Sequence, residues 1–199
     1  MNAAGFAAYG KIPALGDFLR INAPQSFVTP WDAWLQSALV AAKQACGDRW
    51  QECYFSAPIW RFTLAPGLAG PDGVLGVMMP SVDRVGREFP LTLFAAAGPD
   101  PVAAHHANAL TFANLEDIAL NALSDDTSRD GLAVALAQIA APQTGGNPQQ
   151  ARRSMWSALT PDGSRSVAFT GLPDPANCTG FFDLTAADWP DVQPQDLTV

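Results

Sequence analysis

Two apolar runs, at residues 74–79 (VLGVMM) and 89–97 (FPLTLFAAA), are separated by only nine residues, and that spacing limits the folds open to this chain. Each run is short and nearly continuous, as strands covered on both faces are. A parallel pair would need a crossover of about a dozen residues or more, which the intervening segment does not supply. The runs are therefore expected to form an antiparallel hairpin with a long, charged tip at residues 80–88.

The remaining elements arrange themselves around that hairpin. Residues 5–11 read as a short opening strand, and Pro13, Gly16 and Pro24 punctuate a loop over residues 12–25 with one turn near residues 16–19. A helix is expected from Thr29, with Thr29 as cap, Pro30 at the first helical position and Asp32 in the first turn. Trp31, Trp34, Leu35, Ala38, Leu39, Ala42 and Cys46 follow at helical spacing, and Gly47 ends it. Residues 58–65 form another strand, followed by a turn-rich connector over 66–73. Residues 101–123 and 128–140 are helical in period, residues 142–148 form a loop, and strands at 154–159 and 166–170 flank a Pro161–Asp162–Gly163 turn. The tail from Leu172 carries Pro173, Pro175, Pro190 and Pro194, with a short helix near 179–184. The order is strand, helix, three strands, two helices, two strands. It implies an α+β layered sandwich: one mixed or mostly antiparallel sheet with helices packed on it, in a single domain over residues 1–199.

Charge narrows the function classes. The net charge is −8, yet residues 1–99 carry seven basic and seven acidic side chains, so the whole excess lies in the second half. An acidic balance disfavours nucleic-acid binding, whose footprint is basic. Nine of the eleven basic residues are arginines, which suits forked hydrogen bonding. The N-terminus lacks a cationic segment followed by an apolar one, and charged residues such as Asp17, Arg61 and Asp83 interrupt every apolar stretch. A soluble, cytoplasmic protein without membrane insertion is expected. Three sparse cysteines fit a reducing compartment better than a disulfide framework.

Catalytic and metal signatures are thin. No G-x-S-x-G elbow is present, and the Gly5–Gly10–Lys11 spacing of a phosphate loop is followed by Ile12 where Ser or Thr must hold magnesium. His105 and His106 are adjacent, so on a helix they point about 100° apart. They read as solvated or half-buried helix residues. Cys46 and Cys53 are seven apart, but Gly47 and Asp48 lie between them, so a shared helical face is not expected. Glu116–Asp117 and Asp125–Asp126 read as solvated acidic surface. No catalytic residue, cofactor or metal ligand is assigned.

Three segments carry more information. PSVDRVGREFP at residues 80–90 sets Ser81, Asp83, Arg84, Arg87 and Glu88 at the hairpin tip. The tip is either a self-satisfied loop, pinned by ion pairs and the Ser81 hydroxyl, or a docking site presenting arginines to a partner. YGKIPALGDF at residues 9–18 offers a Lys11–Asp17 pair and a turn at Gly16. In APIWRF at 57–62, Trp60 and Arg61 face opposite sides of a strand, and Arg61 is expected either to point outward or to reach a carboxylate such as Asp83.

These segments, with SFVTPWDAWLQSAL at 26–39 and GVMMPSVDRVGREFPLTL at 76–93, resemble the TagF/ImpM proteins that accompany type VI secretion systems in Proteobacteria. The second half resembles the family only loosely, through Met155–Trp156, FTGLP at 169–173 and Phe181–Phe182–Asp183. The resemblance implies an α/β layered fold and a bacterial regulator that restrains type VI secretion after translation. It also implies a link to the forkhead-associated scaffold protein of the apparatus, beside a threonine kinase and phosphatase pathway. Some members carry a fused phosphatase domain, whose activity is not carried over. Lys11, Gly16, Asp17, Trp60, Arg61, Ser81, Asp83, Arg84, Gly86 and Arg87 occupy the family's characteristic positions. The expectation is a non-catalytic interaction module whose partner-binding candidates are Lys11, Asp17, Arg61, Ser81, Asp83, Arg84 and Arg87. The alternative is a small-ligand-binding or enzymatic domain with a polar pocket around Lys11, Asp17, Arg61, Ser81 and Asp83.

Overall fold

In the computed structural model, which describes residues 5–144 and 153–186, seven strands form one antiparallel sheet. They are Ala7–Gly10 (β1), Leu19–Ile21 (β2), Trp60–Leu64 (β3), Gly73–Met79 (β4), Leu91–Ala97 (β5), Arg153–Thr160 (β6) and Gly163–Thr170 (β7). Their order is β2-β1-β5-β4-β3-β6-β7. The hairpin expected from the two apolar runs is its centre, in register from Gly73 opposite Ala97 to Met79 opposite Leu91. Every residue of β4 is buried, as continuous apolarity requires.

Helices cover both faces. One face carries Gln25–Cys46 (α1) and Trp50–Ser56 (α2), together with a C-terminal 3-10 helix, Pro175–Phe181. Pro101–Ala107 (α3), Ala109–Asn121 (α4) and Arg129–Ala137 (α5) lie on the other. Alternation along the strands sorts the side chains. Val74, Met78, Phe62 and Phe94 enter the core under α1, and Leu75, Val77, Met79, Leu91 and Leu93 enter the core under α4 and α5.

The α1-side core is built on aromatic rings. Trp31 stacks on Phe27 and Phe62 and hydrogen-bonds Thr92 Oγ1 through its indole N–H at 3.0 Å. Trp34 and Trp60 donate to the carbonyls of Pro173 and Phe181, both at 2.8 Å, and so fasten the C-terminal segment to α1 and β3.

Several boundaries differ from the sequence reading. α1 starts at Gln25, which places Pro30 inside it. Proline there forfeits a single backbone bond near the helix start. The added turn buries Phe27 and Val28, with Phe27 stacked on Phe94 at 3.9 Å between centroids. The three-residue β2 sits within the segment read as loop, and α2 was not anticipated. The helical stretch at 101–123 breaks at Asn108, whose side chain bonds Ala104 O and the Gln143 backbone. The C-terminal helix is of 3-10 type and begins at Pro175 rather than near 179. The loop expected at 142–148 lies partly, and Pro190 and Pro194 wholly, outside the described residues.

Gly76 shows how closely the hairpin is packed. A Cβ there would sit 2.3 Å from Leu93 O and 2.9 Å from the Phe62 ring. Gly76→Ala is expected to destabilise the protein by about 1–3 kcal/mol, through overpacking beside a backbone oxygen that does not rotate away. Urea denaturation of the variant checks this.

Candidate functional site

The hairpin tip turns back on itself around one carboxylate. Asp83 is fully buried at its side chain. Its Oδ1 accepts the backbone amides of Val85 at 3.1 Å and Arg87 at 2.9 Å. Its Oδ2 accepts Lys11 Nζ at 3.0 Å and Arg87 Nε at 2.6 Å. Gly86, at φ 81°, supplies the left-handed residue that the tight return needs. Burial alone would raise the Asp83 pKa. The Arg87 amide, the Lys11 ammonium, the Arg87 guanidinium and the Val85 amide outweigh it and hold the carboxyl well below its ordinary range.

The same residues clip the tip to the loop between β1 and β2. Arg87 Nη2 donates to Gly16 O at 2.7 Å, Arg84 Nη2 to Ala14 O at 2.6 Å, and the Arg84 amide to Leu15 O at 2.8 Å. Lys11 also lies over the Phe18 ring, 5.2 Å from its centroid. Asp17 caps the Phe18 amide with its own carboxylate and is exposed, so the Lys11–Asp17 pair read from the sequence is replaced by Lys11–Asp83. Lys11 follows β1 directly and is buried, whereas Asp17 sits at the outer bend of the loop. What remains at the surface is a rigid tip: Arg84, Val85 and Arg87, beside the partly exposed Phe18.

Ser81 holds the base of the tip, though not by its hydroxyl. Tyr54 OH donates to Ser81 O at 2.7 Å and accepts the Ser81 amide at 3.1 Å. The Ser81 Oγ is buried and has no hydrogen-bond partner among the described residues. Trp50 Nε1 donates to Glu88 Oε2 at 2.6 Å, adding a second tie from α2. Beside Ser81 lies an apolar cavity of ≈ 240 Å³, walled by Phe55, Ile59, Met79, Val82, Leu120 and Leu123 among others.

Arg61 is elsewhere. With Trp60 and Phe62 facing α1, its side chain points to the other face and meets Glu116 of α4 in a two-bond pair of 2.6 and 2.7 Å. The Asp83 partner considered from sequence is therefore wrong, and Glu116 is not solvated acidic surface. Its neighbour Asp117 is exposed. The set Lys11, Asp17, Arg61, Ser81 and Asp83 thus divides: Lys11 and Asp83 meet, Ser81 sits at the base, and Arg61 belongs to a separate pair.

On that second face the structure shows a cluster the sequence reading missed. His105 is buried, with Nδ1 3.2 Å from Thr63 Oγ1 and Nε2 2.8 Å from Ser157 Oγ. Thr63 gives its proton to Pro101 O at 2.7 Å, so it accepts from Nδ1–H, and Nε2 accepts from Ser157. Burial foremost, then the charges of His106 and Arg61, push the His105 pKa down to about 3. A base that weak does not activate a serine near neutrality. Only the alternation of Thr63 against Phe62 hinted at a polar contact there.

These elements define an α+β protein with a clipped, arginine-bearing hairpin tip on an antiparallel sheet. The model of the TagF N-terminal domain, described as type VI secretion system-associated, matches residues 7–139. The chain belongs to this family. Its fold resembles the crystal structure of PA0076 from Pseudomonas aeruginosa PAO1, determined at 2.05 Å, with a TM-score of 0.77 and 29% identity over 94% of this chain and 98% of that one. No curated protein matches the chain. Among the described residues no helix is long and apolar enough to cross a membrane.

Two measurements test this geometry. Tyr54→Phe strands the Ser81 amide, while the Ser81 carbonyl keeps the Phe89 amide at 3.0 Å, and is expected to cost about 1–3 kcal/mol, whereas Ser81→Ala, which removes an unpaired hydroxyl, should cost nothing or stabilise. Denaturant titration of both variants decides this. Acid should act in two windows. The unfolded chain binds a proton at His105 that the folded one refuses, so stability falls as pH drops from 6.5 toward about 3, at up to about 1.4 kcal/mol per pH unit. Asp83 has a lowered pKa, so its contribution is intact above the ordinary value of 3.8 and is lost only below it. Stability curves of His105→Gln should therefore be flatter between pH 6.5 and about 4 than those of the wild type.

Proposed function

We propose that this chain is a non-catalytic accessory protein of the cytoplasm that restrains type VI secretion after translation, by binding a forkhead-associated scaffold protein through the hairpin tip. Membership of the TagF family supports the setting. The observation that carries the reading is the saturated Asp83 network. Four donors hold the carboxylate ionised and leave it no free acceptor geometry for proton transfer at neutral pH. The network spends its hydrogen bonds on fixing the backbone of residues 83–87. A fixed loop with Arg84, Val85 and Arg87 outermost loses little entropy on docking. Arg84 and Arg87 each retain guanidinium donors beyond those used within the chain.

Val85 is the cleanest probe, because it is 72% exposed and its side chain takes no part in the network. A Val85→Asp variant is expected to keep its circular dichroism and melting temperature, to lose capture of the scaffold protein and to release secretion from restraint. Full restraint and full capture by a folded variant would overturn the role of the tip. Arg87→Glu is a poorer choice, since it removes a partner of buried Asp83 and confounds folding with binding.

A further inference from the structure

The chain reversal after α1 gathers three metal-ligating side chains from three segments. Cys46 ends α1, Cys53 lies on α2, and Asp183 follows the C-terminal 3-10 helix. Their sulfur and carboxylate ligand atoms all lie within 4.8 Å of one another. We propose that Cys46, Cys53 and Asp183 form a site for a zinc-class divalent cation, with water completing a tetrahedron.

Four-coordinate zinc, with Zn–S of about 2.3 Å and Zn–O of about 2.0–2.2 Å, spaces its ligand atoms roughly 3.5–3.8 Å apart. The observed limit of 4.8 Å is about 1 Å wider than that spacing. Two thiolates select a borderline-soft ion over magnesium or calcium, which take oxygen. Asp183 is already oriented, since its Oδ1 accepts the Thr185 amide at 3.0 Å and the Thr185 hydroxyl at 2.6 Å. Arg49 supplies the outer support: its Nη2 donates to Cys53 Sγ at 3.3 Å and to Asp183 Oδ2 at 2.8 Å. Donors of that kind orient ligands and tune a bound metal.

The charges also close. Two thiolates and a carboxylate bring three negative charges, which a divalent cation and the Arg49 guanidinium neutralise together. On binding, each S–H proton leaves to solvent as an S–Zn bond forms. Without metal Cys46 is a poor nucleophile, because burial foremost, and then the Cys53 thiol, push it up to about 11. Cys178, also buried, bonds the Asp174 carbonyl and stands outside the cluster. A bound cation would fasten the C-terminal segment to the α1–α2 corner, where Trp50 and Tyr54 pack on Phe182.

The test uses the full chain, reduced with a phosphine and stripped of metal. Zinc titrated against a chromophoric chelator should bind at one ion per chain. Cobalt(II) in its place should give a near-ultraviolet thiolate-to-metal charge-transfer band. Cys46→Ser, Cys53→Ser and Asp183→Asn should each weaken zinc binding at least about 100-fold, beyond the 10–100-fold usual for outer-shell changes. Zinc should raise the wild-type melting temperature and leave that of Cys46→Ser/Cys53→Ser unmoved. A reduced wild type without a charge-transfer band overturns the proposal, whether or not the variants fold. So does stoichiometric binding that survives in the double variant.

Discussion

Burial of the β4–β5 hairpin on both faces is the constraint around which the molecule is arranged. A strand covered on one side leaves polar residues an outlet to solvent; β4 has none, and all seven of its residues are buried. Charged groups are displaced to the ends of the hairpin, and the tip must then satisfy them locally. Asp83 is the consequence. A buried carboxylate without partners would be expelled or protonated, and this one is kept ionised by amides from its own loop and by two cations, one of them from β1's end. The tie between the tip and the β1–β2 loop therefore follows from the burial of the hairpin rather than from any property of the tip alone.

Both faces repeat the device of carrying polar groups inside an apolar layer and pairing them there. On the α1 side the indole N–H groups do this. On the α4 side it is done by Arg61 with Glu116, and by His105 between Thr63 and Ser157. Unpaired, each would cost more than it contributes when bonded. Ser81 Oγ departs from this pattern, and it stands beside the apolar cavity at the foot of the tip.

Much of this was legible in the sequence, and the rest was not for identifiable reasons. The nine-residue spacing of two apolar runs settled the hairpin, and helical periodicity located α1, α4 and α5. Proline preference puts the start of α1 at Thr29, and the burial of Phe27 and Val28 overrides it. The two-residue stretch Gly47–Asp48 suggested that Cys46 and Cys53 diverge. They do leave a common helix, yet the reversal of direction brings their sulfurs together, which no argument from helical spacing can show. Lys11–Asp17 was the nearer pair along the chain, and Lys11–Asp83 the nearer pair in space. Arg61 was assigned correctly to the face opposite Trp60, but its partner lay on a helix whose docking the sequence does not specify.

The tryptophan bonds to the C-terminal segment bear on how the chain is made. Trp34 and Trp60 find their acceptors 139 and 121 residues downstream, and β3 completes its pairing only with β6. The family-matched stretch, residues 7–139, therefore lacks part of its own core. A nascent chain emerging in order would hold the outer edge of β3 and a cluster of aromatic rings open until β6 and then the acceptors of Trp34 and Trp60 were released. Contacts this distant slow folding and lengthen exposure to misassociation. The stretch beyond residue 139, which supplies β6 and the acceptors of Trp34 and Trp60, is then the closing piece.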